Sequence, residues 1–260
     1  MYGGLPFIEN KAGRLMYAII WEELVYWRRR FWLYLATYML SPLIFLLSFG
    51  FGVGRRLQMI MPGGMSYLEF LVPGVVALAL FNNGVTSVTA RMFYTRLHFQ
   101  SFEAYRLAPV GTLHLWFGYA VAGTLRGFLA GMIVLGMVLL IMGSIQLNWL
   151  CFSAMLLASF CFGSLGVLIG LWLRSFDDHT LIGELVLMPM TFLSGTLIPV
   201  ERLPDFLQHC VWLFPLTPVT ILLRSTMNGA GPDWVAAALV GAWLCIFCLL
   251  GWLRLKKLSD

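Results

Sequence analysis

The chain has 260 residues, of which 60% are apolar and only 11% charged, and its formal net charge is +5. A soluble domain averages about 25% charged and 45–50% apolar residues, and a globule of this size cannot hide such an excess of apolar surface from water. The composition excludes a soluble enzyme, a disordered tail and a disulfide-stapled secreted module, and leaves the bilayer as the solvent.

Residues 1–30 are predicted to be a cytoplasmic N-terminus carrying an amphipathic helix over 13–30. At 100° per residue, Gly13, Met16, Tyr17, Ile20, Leu24 and Trp27 share one charge-free arc. Arg14, Glu22, Glu23, Arg28, Arg29 and Arg30 occupy the rest. Such a helix lies in the membrane interface with its arginines near anionic headgroups. It reads either as a plain anchor or as a part that also moves. No cleavable signal is expected, because the apolar run that follows is longer than the roughly 7–15 residues of a signal sequence.

Residues 31–260 are predicted to form one six-span bundle. A spanning helix needs about 20 mostly apolar residues, and six stretches qualify: Phe31–Gly54, Phe70–Ala90, Leu113–Met142, Trp149–Leu173, Thr180–Ile198 and Val235–Leu253. None alternates as a barrel strand would. Twelve of the 17 Lys and Arg fall before span one, between spans two and three, after span four or at the end of the chain. Four fall on the other side, so the positive-inside rule puts both termini in the cytoplasm. The basic excess therefore reports orientation and not nucleic acid.

Span one carries Pro42 and then Gly50, Gly52 and Gly54. Span two holds Asn82, Asn83, Thr86, Ser87 and Thr89, which either bond between helices or line a substrate path. The loop 91–112 contains a short aromatic helix ended by Pro109, with Phe99, Phe102 and Leu107 able to share a face beside Glu103 and Arg106. Exposed aromatic anchors of this kind suit docking onto a partner protein. In span three Gly123, Gly127 and Gly131, and in span four Gly166 and Gly170, have the four-residue spacing that lets backbones approach. Arg126 is about 16 residues, or ~24 Å, from the far end of span three, and is expected to snorkel to the inner interface. Asp177 and Asp178 are expected to cap span five, which continues through Glu184 and Pro189 to Thr191, Ser194 and Thr196. The segment 199–233 has apolar pieces too short to span, broken by Pro199, Pro204, Pro215 and Pro218, and is predicted to form re-entrant half-helices from the outside.

Catalytic patterns are missing. The chain has no P-loop, no H-E-x-x-H and no serine elbow, and His98, His114, His179 and His209 are scattered, so neither a metal nor a cofactor is expected. Cys151, Cys161, Cys245 and Cys248 lie in spans, where thiolate chemistry is suppressed, and Cys210 stands alone outside them.

The chain resembles the type-2 ABC exporter permeases, and within them the small membrane subunits of nodulation-factor and related glycolipid or drug exporters. The resemblance rests on the helix before span one, on YLEFLVPGVVALALF at Tyr67–Phe81, on SFEAYRLAPV at Ser101–Val110, and on the segment Phe192–Gly229 with Pro199, Leu203-Pro204, Pro215-Leu216 and Arg224. It implies an all-α permease of the bacterial inner membrane that moves an amphipathic substrate outward. It also implies a second permease copy, contact with membrane lipid, and a separate ATPase subunit that holds the ATP and magnesium. Phe99, Gln100, Ser101, Phe102, Glu103, Tyr105 and Arg106 would then couple to the ATPase, and Arg14, Glu22, Glu23 and Arg28–Arg30 would belong to a gate helix. Asn82, Asn83, Thr86, Thr191 and Ser194 would line the path, and Pro199, Pro204 and Pro215 would shape an outer gate. The alternatives are a membrane-embedded lipid-modifying enzyme and a secondary carrier.

Overall fold

The computed structural model describes residues 11–53, 64–98, 112–142, 148–229 and 231–259. Among these there is no strand. A first helix, α1 (Lys11–Arg29), is followed after a break at Arg30 by α2 (Phe31–Phe45), which passes into a π-helical stretch, Leu46–Val53. The second span is a continuous rod: α3 (Tyr67–Phe81), a π turn at Asn82–Thr86, α4 (Ser87–Phe93) and a further π turn at Tyr94–His98. The third and fourth spans are the uninterrupted helices α5 (Thr112–Met142) and α6 (Trp149–Trp172). The fifth comprises α7 (Phe176–Ile182), a π turn at Gly183–Leu187 and α8 (Met188–Leu193). Two short helices, α9 (Asp205–Val211) and α10 (Leu216–Met227), meet at 87°, and α11 (Trp234–Ser259) ends the described chain.

Five of these helical rods are long and apolar enough to cross a membrane by length and composition, and the bent α9–α10 pair passes the same test only if taken as one unit. The molecule is an all-α membrane protein. The stretch expected as the fifth span, Phe176–Leu193, is not among these five, because it carries three acids, Asp177, Asp178 and Glu184. Its 18 helical residues from Phe176 to Leu193 still cover about 27 Å at 1.5 Å each, close to the ~30 Å of a hydrocarbon core.

The span boundaries follow from local chemistry. Ser66 and Glu69 form a capping box, so the second span starts three residues before the apolar pattern does, and it runs eight residues beyond Ala90. Ser175 and Asp178 form another, which starts the fifth span at Phe176 and not at Thr180. That span stops at Leu193, short of the expected Ile198. Ser194 Oγ donates to the Met190 carbonyl at 2.6 Å, and Gly195 follows with φ of +72°, the left-handed residue that closes a helix.

The second span is the axle of the bundle. Its residues from Phe70 to Phe81 are buried on every face, as expected of a helix that is apolar all round. Spans three and four close on it through their glycines. A Cβ at Gly163 would lie 2.6 Å from the Ala120 carbonyl, one at Gly166 would lie 2.7 Å from the Val85 carbonyl, and one at Gly127 would lie 3.0 Å from the Leu80 carbonyl. The four-residue glycine spacing thus does what it was read to do, seating three backbones against one another. A second apolar cluster of Met92, Trp116, Tyr119, Leu171 and Leu255 gathers spans two, three, four and six at one end.

The regular and irregular spans separate cleanly. Among the described residues, π turns occur in spans one, two and five and in none of α5, α6 and α11. Proline accounts for part of this: Pro42 lies just before the π stretch of span one, and Pro189 stands in the first turn of α8 just after the π turn of span five.

Candidate functional site

The π turn of the second span explains where its polar side chains go. Asn83 Nδ2 donates to the Ala79 carbonyl at 2.9 Å, Thr86 Oγ1 donates to the Asn82 carbonyl and Ser87 Oγ to the Asn83 carbonyl. These groups satisfy carbonyls of their own helix. Thr89 instead bridges helices, donating to the Gly166 carbonyl at 3.1 Å.

Asn82, Asn83, Thr86 and Ser87 also form one wall of a cleft of about 510 Å³ between spans one and two. The facing wall is α2, with Tyr34, Thr37, Tyr38 and Ser41. Phe45, Val75, Leu78 and Ala79 make an apolar floor, while Arg30 and Arg126 add two guanidinium groups to the lining. The α2 residues were not singled out from the sequence. Hydroxyls in a span hide easily because they back-bond, as Thr37 does to the Leu33 carbonyl at 2.7 Å.

The charged end is the least expected part of the structure. Glu23 is buried at 4% exposure, although it lies on the helix read as interfacial. It accepts from Arg91 of the second span through Oε1 and from Arg126 Nε of the third through Oε2, the latter at 2.5 Å. Glu22, half-exposed, takes the other end of Arg91 at 2.6 Å. The expectation that Arg126 reaches free to the interface is therefore replaced by an ion pair. The inward face of α1 is Glu23 with the half-buried Ile20 and Trp27, whereas Tyr17 and Leu24 of the charge-free arc are exposed. Trp27 stacks on Tyr34 at 6.0 Å and lies at the same distance from Tyr38, which fixes the break at Arg30. Arg28, Arg29 and Arg30 are exposed, and Arg14 lies in the first turns of α1 with its side chain outside the described set.

Past Arg91 the second span is held on two sides. Phe93 packs edge-to-face on Phe176 at 4.6 Å, and Arg96 Nη1 donates to the Gly170 carbonyl at 2.9 Å. Beyond His98, the predicted coupling residues Phe99, Gln100, Ser101, Phe102, Glu103, Tyr105 and Arg106 lie outside the described residues.

The other predicted path residues are elsewhere. Thr191 is half-buried and bonds the Met188 carbonyl at 2.7 Å, and Ser194 is buried as the cap of its helix; neither lines the cleft. Pro199, Pro204 and Pro215 each stand immediately before a helical turn, at Val200–Arg202, α9 and α10 respectively. The residue that ties this region together is Arg224. Its Nη2 donates to the Gly195 carbonyl at 2.8 Å and to the Phe70 carbonyl at 3.3 Å, with the guanidinium 3.7 Å over the Phe70 ring. Tyr67 Oη adds a 3.2 Å bond to the Leu197 carbonyl. Among the described residues no three His, Cys, Asp or Glu side chains converge as a metal site.

Most of this chain is matched by a known family. The model of the ABC-2 type transporter family fits residues 14–228. The chain belongs to this family. It is similar to the inner membrane transport permease YadH of Escherichia coli K12, with 27% identity over 76% of the chain and 77% of YadH. It is also similar to nodulation protein J of Rhizobium leguminosarum, with 29% identity over 92% of the chain and 90% of that protein. Nodulation protein J of Rhizobium meliloti is 27% identical over 81% of the chain. This ABC-2 permease is a membrane transport subunit, and its family implies an ATPase partner within the same transporter. Nothing in these relationships favours a lipid-modifying enzyme or a secondary carrier.

Proposed function

We propose that this ABC-2 permease moves an amphipathic substrate (a glycolipid, lipo-oligosaccharide, polysaccharide or drug) outward across a bacterial inner membrane. The carrying observation is the cleft between spans one and two. Hydroxyl and amide groups of Tyr34, Thr37, Ser41 and Asn82 stand above an apolar floor, which offers one surface to a polar head and another to a hydrocarbon tail. The location is supported by the inner membrane named for YadH.

ATP and magnesium belong to the partner ATPase, and its strokes reach this chain through residues 99–106. Arg91, Phe93 and Arg96 link the neck of that loop to α1, to span five and to span four, so a push there has three outlets. A second copy of the chain completes the pathway. Glu184 is exposed on the surface of the single chain about 12 Å into the fifth span, among exposed Leu181, Leu185 and Val186. A carboxylate at that depth calls for a protein or water neighbour, not hydrocarbon. Pro199, Pro204 and Pro215 set the bends of an outer gate around Arg224.

The test is reconstitution with the ATPase. Phe102→Ala and Glu103→Ala are expected to leave both subunits folded and associated while ATP hydrolysis no longer drives transport. Normal transport with normal ATPase stimulation in both variants would remove residues 99–106 from the coupling role.

A further inference from the structure

The charges at the mouth of the cleft do not balance. Arg91 and Arg126 take up both nearby carboxylates, Glu22 and Glu23, while Arg30 adds a third guanidinium to the lining. Arg30 has no ion-pair partner among the described residues, yet it lines the cleft together with Arg126. Glu23 grips Arg126 by Nε while holding Arg91 with its other oxygen, so it can give up one arginine and still keep the second.

We infer that Arg126 and Arg30 form a binding site for the anionic headgroup of an amphiphile, and that Glu23 is the internal competitor for that site. This rests on the reading of the cleft as the substrate path. A phosphate or carboxylate of the ligand replaces the Glu23 carboxylate at Arg126 like for like. The arginine is never left buried without a counter-charge, which is the costly outcome. Arginine suits the task because its planar fork takes two oxygens of an anion at once. The tail of the ligand then lies along Phe45, Val75 and Leu78, beyond the hydroxyl row. Exchange also removes the ion pair between α1 and the third span, so occupancy of the cleft weakens the seat of the leading helix while Arg91 still tethers it to the second.

The test is binding to the full chain in detergent micelles, read by native mass spectrometry with no ATPase and no flux. The probes are lysophosphatidylglycerol, lysophosphatidylcholine of the same acyl chain, and glycerol phosphate as a headgroup without a tail. The wild type is expected to prefer the anionic lysolipid by about tenfold. Glu23→Gln strengthens that preference, and Arg126→Gln and Arg30→Gln erase it. Arg30 is exposed and outside the ion-pair cluster, so Arg30→Gln carries the test even if Arg126→Gln fails to fold. Equal retention of the two lysolipids by the wild type, or weaker anion binding in Glu23→Gln, overturns the inference. Glycerol phosphate bound as tightly as the lysolipid overturns its amphiphile half. The site can be present in a chain that does not export, and its absence leaves the ATPase-coupling experiment unaffected.

Discussion

Glu23 of the leading helix and Arg126 of the third span meet at 2.5 Å, 103 residues apart in sequence, and the contact joins the segment outside the bundle to its interior. The same carboxylate reaches Arg91, so one buried acid ties three elements together.

Removing that acid is expected to cost more than removing its neighbour. Glu23→Ala leaves the partly buried Arg126 guanidinium without a carboxylate and Arg91 held by Glu22 alone, and should lower stability by about 3–5 kcal/mol. Glu22→Ala deletes a half-exposed arm of Arg91 and should cost less than about 1 kcal/mol. Thermal unfolding of the purified chain in one detergent compares them directly; equal losses would mean that the burial of Glu23 has no energetic role.

The glycine contacts predict a graded series. Gly163→Ala places a methyl group 2.6 Å from the Ala120 carbonyl, and Gly74→Ala places one 2.2 Å from the Thr196 carbonyl. Backbone atoms cannot step aside as flexible side chains do, so both variants should lose about 1–3 kcal/mol or fail to accumulate. Gly136→Ala meets nothing within 4 Å and should be neutral or slightly stabilising. The yield of monodisperse protein after size exclusion separates the two outcomes.

Arg224→Met should release the loop after the fifth span. The substitution keeps an apolar stem but deletes both carbonyl bonds, and bonds to a charged group contribute about 1.5–3 kcal/mol each where buried. Trypsin added from the outer face is then expected to cleave after Arg202 faster than in the wild type. Arg224→Lys, with a single rotatable ammonium, should restore only part of the protection.

Asn82 and Asn83 should respond differently although they are adjacent. Asn83→Ala removes a 2.9 Å bond to the Ala79 carbonyl and should reduce thermal stability by about 1 kcal/mol. Asn82 is exposed on the cleft, so Asn82→Ala should leave stability alone and alter substrate-stimulated ATPase activity of the reconstituted transporter. A stability loss in Asn82→Ala with unchanged stimulation would place it in the framework.

Five of the spans were legible because lipid requires long apolar runs, and no local preference competes with that requirement. Gly123, Gly127 and Gly166 were readable for the same reason, since only small residues permit close backbones there. Asp178 was readable as a cap because capping is a local event. Glu23 was not. It differs from Glu22 by a rotation of 100°, and nothing local says which of the two faces a helix 103 residues away. Arg126 was misjudged because depth along one helix sets how far an arginine can reach, but not what has come to meet it. Thr37 escaped notice because its hydroxyl bonds within its own helix, and for Thr37 and Ser41 alike only the shape of the packed bundle shows that they face a cavity. The end of the fifth span was placed late because hydropathy continues through Leu197 and Ile198 while the backbone has already turned at Gly195.

A wide turn in a helix holds one residue more than the hydrogen-bond ladder requires. Spans one, two and five each store such a surplus, whereas α5, α6 and α11 store none. Excising a single residue from Gly183–Leu187 would let the ladder close as ordinary α-helix with both flanks still facing their old neighbours. The same excision in α6 would swing everything after it by about 100° and pull Gly166 or Gly170 off the second span. The fifth span therefore tolerates a change of chain length that the fourth, built on contacting backbones, does not.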